Sequence, residues 1–225
     1  MWLYKHSARF HPVVPFDPAR DSLYLFDFTE RNTDLGETDI ADTERFAAYI
    51  NRTLREHKAR YGFGGYGEHR TLYARSRHFD SAEEPRRLHL GIDIWGPAGT
   101  KVMSPLDGIV HSFAFNNNDS DYGATLILTH QLEGVSFHIL YGHLSLNSLK
   151  NLYEGQHIGR GDVIAEFGMR FENGNWPPHL HIQLILDLQG WKGDYPGVCK
   201  YSERQVWLEN CPDPDAILQL ARYLK

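Results

Sequence analysis

The sequence predicts a mainly β protein, a compact antiparallel domain with peripheral helices towards its two ends. Short runs of β-forming residues with alternating character follow one another between residues 88 and 188. Turn residues punctuate them at Pro105-Leu106-Asp107-Gly108, at 116–123, at Glu133-Gly134 and at Glu154-Gly155. No helical periodicity intervenes, as it would between the strands of a parallel sheet.

Taken in chain order, the first element is a helix. Phe46, Tyr49, Ile50, Leu54 and Tyr61 recur at helical spacing, Asp42 can cap the start and Gly62 ends the pattern, which predicts an amphipathic helix over 43–61. FGGYGEHR, at 63–70, is glycine-rich but lacks the spacing of a phosphate cradle and reads as a structural loop with a weak functional option. Strands are then expected at 101–103, 108–115, 125–130, 136–141, 163–167 and 179–186. Near the end, Asp213-Pro214-Asp215 combines a capping residue with proline at the first helical position. Ile217, Leu220, Ala221 and Leu224 follow on one face, the mark of a docking helix.

With 225 residues, 41% of them hydrophobic, the chain can bury a sizeable core. A net charge of -6 without any basic run gives no electrostatic footprint for nucleic acid. No apolar run approaches membrane-spanning length, and no basic segment followed by an apolar stretch opens the chain. As written, the sequence is expected to be cytoplasmic, or exported or periplasmic if it is part of a longer chain. Two cysteines, Cys199 and Cys211, are too few for a cysteine-based zinc site and are expected as free thiols. The polar run Asn116 to Asp121 lacks the spaced glutamate of a calcium loop.

The chain holds 13 histidines, and His57, His69, His78, His111, His130, His138 and His157 read as surface or satisfied core groups. The remaining candidates have company. WPPHLHIQLIL puts His179 and His181 on one face of a strand, because side chains alternate. HLGIDIWGPAGT puts His89, Gly91 and Asp93 on one face of an extended segment. Imidazoles and a carboxylate aimed alike can converge on one divalent ion. Zinc takes imidazole nitrogen and carboxylate oxygen, and a catalytic zinc site uses three protein ligands plus water. No H-E-x-x-H helix and no G-x-S-x-G elbow is present.

The blocks HLGIDIWGPAGTKVMSPLDGIV, YGHLS, EGQHIGRGDVIAEFG and PHLHIQL occur in an order that resembles the lysostaphin-type, LytM-like zinc metallopeptidases, which cut peptidoglycan peptides. The resemblance implies a β-sandwich or barrel-sandwich hybrid, a duplicated hybrid motif. It implies one zinc ion held by His89, Asp93 and His181, with His143 and His179 as catalytic histidines. Zinc would polarise the scissile carbonyl and activate water, with histidine moving the protons. Which of His143 and His179 is the base stays open.

The resemblance also divides the chain into an N-terminal extension over 1–85 packed on the core, a metallopeptidase domain over 86–188, and a C-terminal extension over 189–225. Where the family usually has small residues, this chain has GMRFENGNWPPHLH. Arg170 could pair with a substrate carboxylate, and Trp176 and Tyr141 are further substrate-contact candidates. The expected partner is a peptide or peptidoglycan fragment, and the oligomeric state is not legible. The other readings are a non-catalytic metal-binding or regulatory module of the same fold, and an amidase-like cytosolic enzyme with a non-wall substrate.

Overall fold

A computed structural model describes residues 2–36, 40–70 and 84–224. The predicted surface histidine His78 lies outside these residues. The strands are β1 (Leu23–Phe26), β2 (Tyr61–Gly64), β3 (Arg86–His89), β4 (Ile92–Trp95), β5 (Lys101–Met103) and β6 (Gly108–Asn116). They continue as β7 (Gly123–Leu132), β8 (Val135–Leu144), β9 (His157–Ile158), β10 (Val163–Glu166), β11 (His179–Ile185) and β12 (Val198–Lys200). The α-helices are α1 (Thr43–Glu56), α2 (Arg204–Asn210) and α3 (Asp215–Leu218). The fold is therefore mainly β with few helices.

One eight-stranded sheet runs in the order β1-β2-β4-β11-β8-β7-β6-β9, with two-stranded ladders β10-β5 and β12-β3 beside it. The expected strands from 101 onward are all present. β7 and β8 meet at Glu133-Gly134, where both residues have positive φ, 51° and 79°. Such a two-residue turn matches the right-handed twist of the strands it joins. The sheet departs from an all-antiparallel pattern at one end: β1 pairs with β2 in parallel, Leu23 opposite Tyr61, with α1 as the crossover. Four-residue strands such as LYLF and YGFG offer too little alternation to announce themselves.

α1 starts where expected. Asp42 accepts hydrogen bonds from the Glu44 and Arg45 amides, satisfying donors that the first turn leaves open. It ends earlier than 61, because Lys58 takes φ 51° and turns the chain so that Tyr61 starts β2. Phe46, Tyr49, Ile50 and Leu54 pack with Phe26, Phe28, Trp95 and Trp176 in a cluster of their own. Phe46 is fully buried there, and emptying such a position costs about 3–5 kcal/mol. The C-terminal helix is shorter than the spacing suggested. α3 stops at Leu218, Gln219 turns left-handed at φ 53°, and a single 3-10 turn covers Ala221–Tyr223. Ile217 and Leu220 are buried as a docking face requires.

β11 is buried along its whole length, and its two faces do different work. Leu180, Ile182 and Leu184 enter the main core with Leu126, Leu128, Ile139 and Tyr141. His179, His181 and Gln183 occupy the opposite face. Beyond them on that side, Ile185 joins Leu88, Leu90, Ile127, Leu140 and the two cysteines beneath the C-terminal segment. Both cysteines are free and buried.

Candidate metal centre and adjoining cleft

Antiparallel pairing sets His181 of β11 directly opposite Asp93 of β4, and His89 closes β3 just before. His181 Nδ1 is 3.0 Å from Asp93 Oδ1 and 3.0 Å from His89 Nε2, and the last two atoms are 3.3 Å apart. Tetrahedral zinc with bonds of about 2.0–2.1 Å separates its ligand atoms by roughly 3.3 Å, so the three donors are spaced to share one ion. All three residues are buried. His89 donates from Nδ1 to the Gly65 carbonyl at 3.2 Å, which leaves Nε2 as a lone pair facing the other two. Gly91, between the two ligands in sequence, is needed for space: a Cβ there would lie 2.6 Å from His181 Cε1 and 2.7 Å from the Ile182 carbonyl.

Asp93 uses its second oxygen, Oδ2, to accept from the Arg70 guanidinium. Arg70 is buried, and its Nε donates to Glu68 Oε2 at 2.6 Å, while Glu68 Oε1 accepts from the Phe28 amide at 3.1 Å. A carboxylate–guanidinium–carboxylate chain thus runs into the site from residues 68–70. Burial opposes ionisation of Asp93, but its close contacts with His89, the Arg70 cation and His181 outweigh it and hold the carboxyl well below its usual range. His89 moves down to about 4, through burial first and then the nearby Arg70 cation, so it stays neutral and able to bind a metal.

His143 and His179 form the second half of the site. Their rings lie 4.1 Å apart at 33°, and Trp95 stacks on the far side of His179 at 4.0 Å and 15°. His143 adopts left-handed backbone at φ 61°, an uncommon state for a side chain of this size. It is held there because its amide donates to the Tyr122 carbonyl at 2.8 Å and its carbonyl accepts from Gly168 at 2.9 Å. Its Nδ1 donates to the Asn173 carbonyl at 2.8 Å, and His179 Nδ1 donates to the Pro177 carbonyl at 2.7 Å. Each ring therefore presents an unprotonated Nε2, the form a proton acceptor needs. Burial, followed by the neighbouring His179 and His181, lowers His143 well below the usual imidazole range. Burial also brings His179 down to about 4.

A cleft of about 230 Å³ opens over both halves, walled by Trp176, Trp191, Tyr195, Arg86 and Asp121. Sequence reasoning placed His89, Asp93, His143, His179 and His181 together, and the structure brings all five to this cleft region. Trp176 also reaches it, its ring centre 6.3 Å from those of both His143 and His179. Tyr141 does not. It sits opposite Ile182, on the core side of the sheet, and is fully buried, so it has no path to a ligand. Arg170 is also elsewhere: it is exposed and pairs at 2.7 Å with Glu44 of α1. Arg70, Trp95, Tyr122, Asn173 and Gln183 went unrecognised. FGGYGEHR, read as structural with a weak functional option, supplies the Gly65 carbonyl to His89 and the Arg70 guanidinium to Asp93. Gln183 and Trp95 had a visible signal, each two residues beyond a ligand candidate, His181 and Asp93, and on its face.

Residues 87–192 match peptidase family M23. Over those residues the chain is similar to M23 peptidases, in agreement with its sequence resemblance to the lysostaphin and LytM type. Among curated relatives, the DD-carboxypeptidase/endopeptidase Mpg of Neisseria meningitidis serogroup B is 35% identical over 103 residues, 46% of this chain and 21% of the relative. The Mpg protein of Neisseria gonorrhoeae is 32% identical over 103 residues, with the same shares. The match thus spans about a fifth of the length of those relatives. Among solved structures, the catalytic domain of lysostaphin from Staphylococcus simulans is 21% identical with a TM-score of 0.47, covering 77% of this chain and 97% of that one. A zinc-containing peptidase from Vibrio cholerae is 30% identical with a TM-score of 0.35, covering 44% and 27% respectively. Arg70 and Cys211 lie outside the residues of this chain that match the M23 family.

Proposed function

We propose that this M23-like domain is a zinc-dependent metalloendopeptidase that hydrolyses amide bonds in peptidoglycan-derived or related peptides. The observation that carries the reading is the convergence of His89, Asp93 and His181, whose donor atoms all lie within 4.8 Å of one another. Two neutral imidazoles and one carboxylate suit a single zinc ion and leave it a net charge of about +1. Bound there, zinc would supply Lewis-acid polarisation of the scissile carbonyl and lower the pKa of a water to about 7. The chain's own residues would do the rest. His143 and His179, both with Nε2 unprotonated, are set to take the proton of the attacking water and pass it to the leaving amine. Their Nδ1–H groups are occupied by carbonyls, which keeps the rings oriented through both transfers. Trp95 and Trp176 cover the pair and exclude bulk water, which strengthens every charge interaction in the cleft.

The substrate class rests on the resemblance to the lysostaphin type, and the names of the curated relatives add carboxypeptidase and endopeptidase activity. The test is a digest of purified peptidoglycan and of soluble cell-wall peptides, read by mass spectrometry, with a chelator and the His181→Ala variant as controls. New amide cleavage that disappears in both controls is expected. Intact substrates in every sample would exclude this substrate class.

A further inference from the structure

We infer that Gln183 is a positioning residue for the metal centre, clamped by the C-terminal segment so that it dictates which nitrogen of His181 carries the proton. The inference rests on the assignment of His181 as a ligand. Gln183 is fully buried on the face of β11 that carries His179 and His181. One end of its amide lies 3.0 Å from the Pro196 carbonyl and 3.3 Å from Cys211 Sγ. A carbonyl oxygen only accepts, so the atom facing it is the amide nitrogen, Nε2. The amide oxygen, Oε1, must then point the other way, and it lies 3.0 Å from His181 Nε2. That oxygen also only accepts, so His181 Nε2 carries the hydrogen and Nδ1 is left bare. Nδ1 is the atom that meets Asp93 and His89.

The opposite tautomer would fail twice. It would place an N–H, donating to Asp93, at the point where the ion is to be held, and it would leave Gln183 Oε1 facing the His181 lone pair with the Tyr122 hydroxyl, 3.4 Å away, as its donor. The clamp is itself anchored. The Cys211 amide donates to the Trp207 carbonyl at 2.7 Å, and the Tyr66 hydroxyl donates to the Cys211 carbonyl at 2.7 Å. Room for the neighbouring Tyr122 ring comes from Gly142, where a Cβ would sit 2.5 Å from Tyr122 Cδ1. The C-terminal segment, which lies beyond the M23 match, thereby acquires a task at the metal.

Partners of this kind change metal affinity by about 10–100-fold when removed. Imidazole nitrogen NMR on the metal-free protein at mildly alkaline pH reads the tautomer directly, and competition with a chromophoric chelator reads zinc affinity. In the unmodified chain, protonated Nε2 is expected at His181. Gln183→Leu is expected to lose that signature and bind zinc about 10–100-fold more weakly. Gln183→Glu, which keeps an acceptor towards His181, is expected to retain the signature. A protonated Nδ1 at His181 in the unmodified chain overturns the proposal without reference to any variant, as does undiminished zinc affinity in a folded Gln183→Leu. Absence of zinc binding by the unmodified chain would instead remove the metal reading, while the tautomer measurement still decides the role of Gln183.

Discussion

The two halves of the cleft are held by different means. His89, Asp93 and His181 sit in a chain of charge and side-chain hydrogen bonds, with Arg70 and Glu68 behind Asp93 and Gln183 behind His181. His143 and His179 are instead fixed by main-chain carbonyls and by a stack of rings. The first half is sensitive to any change of charge. The second is sensitive to the path of the backbone, above all at the left-handed residue His143.

The sharpest way to break this contrast is Asp93→Ala. It removes a ligand and also strands the Arg70 guanidinium, so zinc content should fall to background and stability by about 3–5 kcal/mol, measured by elemental analysis and denaturant titration. Next in size are His143→Ala and His179→Ala. Each should keep about one equivalent of zinc while activity drops by about 10²–10⁴-fold, and loss of metal from both would erase the division between the halves. Arg70→Met should act on the first half alone. Zinc binding would then neutralise Asp93 in place of the lost cation, so adding zinc should raise the melting temperature more than it does for the unmodified chain. That outcome follows from ligand linkage, and an equal rise in both proteins would detach Arg70 from the metal centre. The smallest effect belongs to Arg170→Ala. Its pair with Glu44 is exposed, so stability should change by less than about 1 kcal/mol and peptide turnover should stay level.

Much of the site was legible because period-two alternation fixes facing. His179 and His181, and His89 with Asp93, could be assigned to common faces from spacing alone. The order of the blocks then joined segments far apart in the chain. What stayed hidden has a shared physical character. Arg70 reaches Asp93 across 23 residues from a loop whose glycines lack the spacing of a phosphate cradle and so read as structural. Tyr122 follows a polar run and is drawn inward by space that Gly142 leaves on the adjoining strand, β8. Tyr141 was misplaced because alternation puts it on one face with His143, whereas the left-handed backbone at His143 breaks that alternation. The amphipathic helix was correct in its capped start and wrong in its end, since Tyr61 belongs to β2 and only coincides with the helical period.

The parallel strand at one end of the main sheet has an implication for ligands. Peptides are often gripped by joining the open rim of a sheet, where their main chain completes a ladder. Here β2 lies along β4, β1 lies outside β2, and β8 lies along the other flank of β11, so no unpaired rim adjoins Asp93 or His181. Over β4 and β11, a bound molecule is therefore met by side chains above the strands. Compounds with methylated amides or inverted stereocentres, which cannot extend a ladder, forfeit nothing on that account and are reasonable scaffolds for blocking the cleft.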